Sequence, residues 1–281
     1  MSKDIREIIQ LSTDYLQKHG MESPKVDAEW LIGHALKLER MQLYLQFDRP
    51  LNEAELTEIR ELLRRRAAHE PVQYICGSAC FFGLDFKVGP GVLVPRPETE
   101  RLVDLALHQT KEGDRLLDIC TGSGCIPLTM QHERKNTLQV TGIELSPQAL
   151  NYAKENADLL GSQNVTWLEG DLLTPLNTDQ QFEVITSNPP YVAESERPQM
   201  GKDVLAHEPV MALFAENEGL QLIERLAQGV KKHLVDGGYF FMEFGASQGP
   251  AIKSLFELHG YREVEIIQDY SHRDRILKAR R

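Results

Sequence analysis

Leu116-Leu117-Asp118-Ile119-Cys120-Thr121-Gly122-Ser123-Gly124 is the stretch of this 281-residue sequence that decides its fold. A short apolar run leads directly into two glycines, which is typical of a buried strand that ends in a tight turn before a helix. Glycines at such a turn let the backbone approach a ligand closely, and the following helix offers free N–H groups at its N-terminus. The stretch therefore predicts a strand–turn–helix unit with a ligand at the turn.

From about residue 114 onward, β-rich runs alternate with segments of helical periodicity. The runs lie at 115–120, 139–144, 165–169, 183–187 and 238–244, and helical spacing occupies 147–160, 219–233 and 248–258. Two further runs, 262–267 and 275–279, lie close together and suggest an antiparallel hairpin at the end of the sheet. This alternation predicts a Rossmann-like α/β fold with a seven-stranded, mostly parallel sheet covered by helices on both faces.

The sequence before residue 96 divides into two further parts. Residues 1–75 carry helical patterns, one of which places Trp30 and Leu31 on a buried face, and Asn52 with Glu55 has the spacing of a capping box. Residues 76–95 combine apolar and aromatic side chains with four glycines, which is typical of a β-hairpin. We therefore expect a small helical N-terminal domain (1–75), a β-hairpin connector (76–95) and a second domain (96–281).

Composition and charge narrow the class of protein. The net charge is −11, of which −9 falls after residue 75, and this disfavours a direct nucleic-acid substrate because phosphate binding depends on Lys and Arg. No apolar run approaches the roughly 20 residues that span a bilayer, and the charged N-terminus lacks the apolar region of a secretory signal. The four cysteines lack the spacing of zinc ligands. We expect a cytoplasmic protein with reduced thiols, no metal and no membrane association.

Acidic residues follow the second and third predicted strands. Glu144 lies about 20 residues after the glycines, where a carboxylate can accept hydrogen bonds from ribose hydroxyls. Asp171 follows the third strand, where it could accept from an exocyclic amine while Leu172 packs on the ring. A dinucleotide fingerprint would require a third glycine where Pro127 stands. The pattern therefore predicts a nucleoside ligand that need not carry phosphates.

The fourth predicted strand ends in Asn188-Pro189-Pro190-Tyr191. Each proline lacks the N–H that a sheet requires and has a fixed φ, so the chain must leave the sheet at Asn188. In open α/β sheets, ligands bind at the carboxyl ends of the strands. A side-chain amide oxygen and a backbone carbonyl held side by side can accept both hydrogens of a planar –NH2 group, with Tyr191 to stack on it or orient it.

These features together resemble the class I S-adenosylmethionine-dependent methyltransferases. In that class, Asn-Pro-Pro-Tyr is the form found in enzymes that methylate planar nitrogens, either N6 of adenine or the side-chain amide of glutamine. The resemblance implies S-adenosyl-L-methionine as cofactor and S-adenosyl-L-homocysteine as product. The implied cofactor-binding residues are Cys120, Thr121, Gly122, Ser123, Gly124, Glu144, Asp171, Leu172 and Asn188.

Other stretches resemble the release factor glutamine methyltransferases, and this likeness covers nearly the whole chain. They are Glu70-Pro71-Val72-Gln73-Tyr74-Ile75-Cys76-Gly77, Val94-Pro95-Arg96-Pro97-Glu98-Thr99-Glu100, Glu208-Pro209, Ala212-Leu213, Glu218-Gly219-Leu220, Asp269 and Asp274-Arg275. The resemblance implies methylation at N5 of the glutamine in the Gly-Gly-Gln motif of class I peptide chain release factors. It also implies that the domain 1–75 binds the release factor.

The resemblance assigns the chemistry to the Asn-Pro-Pro-Tyr turn. Asn188, Pro189 and Tyr191 are implied as catalytic residues, and Asn188, Pro189, Pro190 and Tyr191 as substrate-binding residues. In this interpretation the Asn188 oxygen and the Pro189 carbonyl accept the two amide hydrogens, while Tyr191 packs on the amide plane.

Three residues near the cofactor depart from the family pattern. The family usually has Gly at 120, a small residue at 127 and Asp at 144, where this chain has Cys120, Pro127 and Glu144. We expect the backbone to adjust at Cys120. Glu144 can still reach two hydroxyls, from one methylene further away.

Three other functions compete with this interpretation. The strongest alternative is an adenine-N6 methyltransferase acting on DNA or RNA, which would use the same four residues on a flipped base. The acidic balance and the lack of a separate basic recognition domain disfavour it. A nicotinamide-dependent oxidoreductase leaves the Asn-Pro-Pro-Tyr turn without a role, and a non-catalytic S-adenosylmethionine-binding protein would not need Asn188 and Tyr191 intact. The sequence carries no coiled-coil pattern and leaves the oligomeric state open.

Overall fold

The computed structural model of the protein describes residues 3–281, which fall into two units. The first unit contains the described residues up to Ser78 together with Gly201–His207, and the second contains Ala79–Met200 and Glu208–Arg281. The first unit is therefore discontinuous in sequence. None of the helices within residues 3–281 is long and apolar enough to cross a lipid bilayer.

The first unit is built from helices. Those before residue 78 are α1 (Ile5–Lys18), α2 (Pro24–Leu36), α3 (Arg40–Leu45), α4 (Glu53–Ala67) and α5 (Val72–Cys76). The Asn52 side chain accepts from the Glu55 N–H at 3.0 Å, and the Glu55 carboxylate accepts from the Asn52 N–H at 2.9 Å. This exchange satisfies N–H groups that the start of α4 would otherwise leave free. The predicted capping box is confirmed.

The buried face of α2 differs from the predicted one. Ala28, Leu31 and Ile32 are fully buried, whereas Trp30 is 38% exposed. Because a helix has about 3.6 residues per turn, the face that contains these three residues directs Trp30 away from the core. The prediction that Trp30 shares the buried face with Leu31 is wrong.

Arg66 is a buried cation of the first unit. Its guanidinium donates to Asp27 Oδ2 at 2.7 Å and to the Glu70 carbonyl at 3.1 Å, and it lies 3.7 Å from Asp203. A buried charge is tolerated when it is both paired and hydrogen-bonded. Asp203 belongs to the segment Gly201–His207, so this guanidinium connects that segment to the helices of its unit.

A short hairpin precedes the main sheet. Its strands are β1 (Ser78–Phe81) and β2 (Leu84–Lys87), so it is shorter than the predicted span 76–95. Phe81 and Phe86 are buried in a hydrophobic cluster of the second unit. The remainder of the span, 88–95, contains no strand, and several of its residues line the cavity described below. The domain boundaries at 75 and 95 stay predictions.

The main sheet has seven strands. They are β3 (Arg115–Ile119), β4 (Gln139–Glu144), β5 (Val165–Glu169), β6 (Phe182–Ser187), β7 (Leu234–Glu243), β8 (Arg262–Gln268) and β9 (Asp274–Arg280). Their order is β5-β4-β3-β6-β7-β9-β8, with parallel pairing from β5 to β7 and antiparallel pairing of β9 with β7 and β8. The predicted Rossmann-like, mostly parallel sheet with a terminal hairpin is confirmed.

Helices and short 3-10 turns connect these strands. The helices are α6 (Pro97–Leu107), α7 (Cys125–Glu133), α8 (Pro147–Leu159), α9 (Lys202–His207), α10 (Gln221–Gly229) and α11 (Gly249–Leu258), and the 3-10 turns are Glu194–Gln199, Val210–Ala212 and Val230–His233. α9 belongs to the first unit. The predicted helical segment 219–233 therefore divides into α10 and a 3-10 turn.

Alternate residues of the central strands supply two hydrophobic clusters. Leu117 and Ile185 pack in one cluster with side chains of α10 and α11, whereas Leu116 and Val184 pack in the other with side chains of α6 and α7. All four side chains are fully buried. A strand that is apolar on both faces is typical of a parallel sheet covered on both sides.

The order of the strands reverses at β3 and β6, which lie side by side at the centre of the sheet. The register pairs Ile119 with Ile143 of β4 and with Ser187 of β6. The residues that follow these positions therefore leave the sheet at the same edge. In α/β sheets, such a switch point is where ligands bind.

A buried amide joins the hairpin to the glycine turn. Asn156 of α8 accepts from the Lys87 N–H at 2.7 Å and donates to the carbonyls of Lys87 at 3.1 Å and Ser123 at 2.9 Å. Its side chain therefore satisfies backbone groups in two separate segments of the second unit.

We expect Asn156→Ala to lower the free energy of unfolding by about 2–3 kcal/mol, because it leaves buried backbone groups without partners. Asn151, which is exposed on the same helix, supplies the matched control. Asn151→Ala should change the free energy by no more than about 0.5 kcal/mol. Urea unfolding followed by circular dichroism measures both, and equal effects of the two substitutions would contradict this role.

Candidate active site

A cavity opens at the carboxyl ends of the parallel strands, within the second unit. Nine residues predicted from the sequence line it, namely Cys120, Thr121, Gly122, Ser123, Glu144, Asp171, Leu172, Asn188 and Pro190. Three other predicted residues, Gly124, Pro189 and Tyr191, are not among the described residues of the lining. The sheet therefore brings most of the predicted residues together from four strand ends.

The turn after β3 has a left-handed backbone. The φ angle is +60° at Cys120, +56° at Gly122 and +79° at Gly124. A Cβ on Gly122 would meet open space, whereas a Cβ on Gly124 would lie 3.0 Å from Leu128 and 3.2 Å from Trp167. Gly122 thus leaves the backbone open to a ligand, while Gly124 allows close packing behind the turn.

Backbone N–H groups fix the carboxylate of Glu144. One oxygen accepts from the Gly122 N–H at 2.8 Å and the other from the Ser146 N–H at 2.9 Å. Each carboxylate oxygen has two lone pairs, so acceptor capacity remains for a ligand. The longer Glu side chain, at a position where the family usually has Asp, is therefore held in place by these two hydrogen bonds.

Asp171 is paired with a cation that sequence reasoning missed. Arg225 of α10 donates to Asp171 Oδ2 at 2.6 Å, and both side chains are partly exposed. The neighbouring Leu172 has a φ of +51° and lines the cavity. A left-handed backbone in a bulky residue is rare, and such strain concentrates at functional sites.

Asp118 lies fully buried at the end of β3. The Thr186 hydroxyl donates to its Oδ1 at 2.7 Å. Burial raises the pKa of the Asp118 carboxyl to about 7, although this hydrogen bond acts in the opposite direction. The group is therefore partly protonated at neutral pH.

Two thiols, those of Cys120 and Cys125, line the cavity. Burial raises the pKa of Cys125 to about 12. It also raises the pKa of Cys120 well above its ordinary value, and the nearby charge of Glu144 acts in the same direction. Both side chains are therefore neutral thiols at physiological pH.

The Asn-Pro-Pro-Tyr turn is held at both of its ends. Asn188 Nδ2 donates to Thr99 Oγ1 at 3.3 Å, and the Tyr191 hydroxyl donates to Glu243 Oε1 at 2.9 Å. The Tyr191 carbonyl accepts from Gln248 Nε2 at 3.0 Å. Tyr191 is thus anchored by polar contacts outside the cavity lining, and its packing on a substrate amide stays a prediction.

Two segments supply a wall of the cavity whose residues are not among the site residues predicted from the sequence. The lining residues of this wall are Gly91, Val92, Leu93, Pro95, Arg96, Thr99, Pro209, Met211 and Ala212. Arg96 joins the two segments by donating to the buried Glu208 Oε1 at 2.7 Å. A signal was present, because 94–100 and 208–209 are among the stretches that carry the family resemblance.

The lining combines fixed acceptors with apolar surface. Glu144 and Asp171 can accept from hydroxyls or amines, and Ile143, Leu145 and Leu172 can cover a planar ring. Within residues 3–281, no group of His, Cys, Asp and Glu side chains is arranged to hold a metal ion. The cavity is therefore suited to an uncharged ring that carries hydroxyl and amine groups.

Comparison with known proteins decides the family. The family model described as PrmC N-terminal domain matches residues 7–77, and the one described as Methyltransferase domain matches residues 110–260. Proteins named release factor glutamine methyltransferase are 38% identical over 276 residues in Geobacter sulfurreducens and 39% identical over 277 residues in Vibrio cholerae. Each alignment covers 98% of this chain and 96% of the relative. The chain belongs to the release factor glutamine methyltransferase family.

Solved structures of methyltransferases share the fold of this family member. A methyltransferase from Pyrococcus furiosus has a TM-score of 0.54 at 20% identity, over 80% of this chain and 98% of its own. The T. thermophilus 16S rRNA N2 G1207 methyltransferase, in complex with AdoMet and guanosine, has a TM-score of 0.52 at 17% identity, over 73% and 49%. At these identities the likeness shows the fold alone.

The comparisons bear on the predictions made from the sequence. The resemblance to release factor glutamine methyltransferases, the class I methyltransferase fold and the enzyme class are confirmed. The alternative of an adenine-N6 methyltransferase is not favoured by these relatives.

The left-handed backbone at Cys120 leads to a stability prediction. A non-glycine residue in this conformation costs about 1–2 kcal/mol relative to glycine. We therefore expect Cys120→Gly to be more stable than Cys120→Ala by about 1 kcal/mol, because both remove the thiol and only the second retains a Cβ. Urea unfolding of the two variants measures the difference, and a more stable alanine variant would contradict it.

The pKa of Asp118 leads to a prediction about pH. It is raised to about 7 in the folded protein, whereas the pKa of an unfolded Asp is about 3.9. The folded state therefore binds the proton more tightly, and the stability that this contributes is lost as the pH rises from about 4 through about 7. We expect the wild type to lose more stability than Asp118→Asn between about pH 5 and about pH 8.

Urea unfolding of both proteins at the two pH values measures this difference. Comparing the two proteins cancels the contributions of other titrating groups. Parallel pH profiles for the wild type and Asp118→Asn would show that this carboxyl does not titrate as predicted.

Proposed function

We propose that the protein methylates N5 of the glutamine in the Gly-Gly-Gln motif of class I peptide chain release factors, with S-adenosyl-L-methionine as methyl donor. The observation that carries this proposal is a single cavity lined by the glycine turn, Glu144, Asp171 and Asn188. Acceptors suited to a nucleoside and an acceptor suited to an –NH2 group therefore share one space. Membership of the family supports glutamine as the methyl acceptor rather than adenine.

The cavity lining fits S-adenosyl-L-methionine. Glu144 would accept from the ribose hydroxyls and Asp171 from the exocyclic amine, while Leu145 and Leu172 would cover the ring. The open space at Gly122 allows the backbone to approach this ligand. When bound, S-adenosyl-L-methionine supplies an electrophilic methyl group on a sulfonium sulfur.

The glutamine amide needs help from the protein to react. Its nitrogen is a weak nucleophile, because the lone pair is delocalised into the carbonyl. Asn188 Oδ1 and the Pro189 carbonyl would accept the two hydrogens on this nitrogen, which orients its lone pair and stabilises the positive charge that develops on it. The fixed orientation raises the effective concentration of the reacting group. The N-alkylated amide then loses one proton to water, so no dedicated base is required.

The helical first unit is the proposed release factor-binding domain. It contains the region matched by the PrmC N-terminal domain. It also exposes large apolar side chains on α3, with Met41 70% and Leu45 79% exposed. Exposed apolar residues that cluster on one element are typical of surfaces that bind other proteins.

Purified protein, labelled S-adenosyl-L-methionine and a class I release factor test the proposed activity. We expect label on the glutamine of the Gly-Gly-Gln motif, located by peptide mass, and none on a factor whose glutamine is replaced by alanine. An unlabelled wild-type factor, or equal label on both factors, would overturn the proposal. Parallel reactions with adenine-containing DNA and RNA test the alternative substrate.

Asn188→Ala tests the role of the amide acceptor. We expect kcat to fall by about 100-fold or more, because a preorganised acceptor for the reacting nitrogen is lost. Glu144→Ala should chiefly weaken cofactor binding. We therefore expect a lower kcat in Asn188→Ala and a higher Kd in Glu144→Ala. Steady-state rates and calorimetric titration with S-adenosyl-L-homocysteine measure these quantities. A wild-type kcat in Asn188→Ala would remove Asn188 from the reaction.

A further inference from the structure

Buried polar groups lead from Asn188 into the interior of the second unit. Asn188 Nδ2 donates to Thr99 Oγ1 at 3.3 Å, and the Thr99 hydroxyl donates to Glu243 Oε2 at 2.6 Å. Thr99 is 2% exposed and Glu243 is 1% exposed. Thr99 lies in the first turn of α6 and contacts the first residue of the Asn-Pro-Pro-Tyr turn directly, whereas Glu243 lies at the end of β7 and reaches that residue only through Thr99.

A second series of donors reaches the same carboxylate from the other end of the turn. The Tyr191 hydroxyl donates to Glu243 Oε1 at 2.9 Å and accepts from Arg275 Nη1 at 3.5 Å. Burial raises the pKa of Glu243, whereas the two hydroxyl donors and the charge of Arg275 favour its ionised form. Glu243 is thus the common acceptor of both series.

The direction of these hydrogen bonds fixes which atom of the Asn188 amide faces Thr99. Each oxygen of Glu243 accepts from a hydroxyl, so the Thr99 hydroxyl gives its single hydrogen to Glu243. The Thr99 oxygen then has only lone pairs to offer, and the Asn188 amide must turn its –NH2 group toward it. The amide oxygen of Asn188 is left to accept from a ligand in the cavity.

We propose that Thr99 and Glu243 are positioning residues for methyl transfer, because they hold the Asn188 amide with its oxygen available to the methyl-accepting nitrogen. This inference rests on the proposed function. Rotation of the amide by half a turn would place its –NH2 group against the –NH2 group of the substrate, where two donors meet and neither is satisfied.

Thr99 can be tested with conservative substitutions. Thr99→Val keeps the shape of the side chain and removes the hydroxyl, whereas Thr99→Ser keeps the hydroxyl. We expect Thr99→Val to lower kcat by about 10- to 100-fold, as for a misplaced reacting group, with the Kd for S-adenosyl-L-homocysteine unchanged. Thr99→Ser should retain most of the wild-type kcat.

The chain offers a matched control for the loss of a buried hydroxyl. Thr129 is fully buried, and its hydroxyl has no hydrogen-bond partner among the residues that the structure describes. Thr129→Val therefore removes a hydroxyl of the same kind without breaking a hydrogen bond. We expect it to leave kcat unchanged.

A double substitution shows whether Thr99 acts through Asn188. If it does, Asn188→Ala with Thr99→Val should be no slower than Asn188→Ala alone, because the amide to be oriented is already absent. Glu243→Gln should lower kcat as Thr99→Val does, since one amide oxygen cannot accept from both hydroxyls without rearrangement.

The inference would be overturned by wild-type kcat in Thr99→Val, by equal losses in Thr99→Ser and Thr99→Val, or by fully additive losses in the double variant. A fall in kcat that parallels a loss of cofactor affinity would also overturn it, because that points to a general structural role. The wild-type reaction separates this inference from the proposed function. If the wild-type protein transfers no label to the release factor, the proposed function is rejected. If the wild type transfers label and Thr99→Val does so with the same kcat, only the positioning role is rejected.

Discussion

The register of β3 with its two neighbours is the constraint on which the candidate active site depends. Ile119 pairs with Ile143 on one side and with Ser187 on the other, and the Ser187 hydroxyl donates to the Ile119 carbonyl at 2.8 Å. Cys120 and Asn188 consequently leave the sheet at the same level. A slip of one residue in β6 would exchange its two faces, place Val184 and Ile185 in each other's clusters and separate Ser187 from Ile119. The packing of the core therefore also sets the distance between the glycine turn and the amide of Asn188.

Those parts of the site that depend on local sequence can be predicted without a structure. Asn188 must leave the sheet because Pro189 and Pro190 cannot pair with a neighbouring strand. The turn at Gly122 follows from an apolar run that meets glycine. Glu144 and Asp171 then fall at successive strand ends because the strands alternate regularly with helices. Parallel pairing gathers these positions at one edge, so the fold class and the part of the cavity lining at the strand ends follow from spacing.

The parts that depend on contacts between distant segments could not be predicted from spacing. Asn188 contacts Thr99, which is 89 residues away, and Thr99 contacts Glu243, which is 144 residues away. No periodicity links such positions. The orientation of Tyr191 depends on its side-chain rotamer, and the pairing of Asp171 with Arg225 depends on where α10 packs. The error at Trp30 has a related cause, because the buried face of α2 is set by its neighbours rather than by hydropathy alone.

The neutral state of Cys120 and Cys125 has a consequence for an enzyme that handles an alkylating reagent. A thiolate is a strong nucleophile, whereas the protonated thiol is not. In the proposed complex, a sulfonium methyl group would lie in a cavity lined by both sulfurs. Because burial holds both pKa values high, neither sulfur competes with the substrate nitrogen for that methyl group. In the proposed complex, the apolar surroundings of the cavity would thus protect the protein against alkylation by its methyl donor.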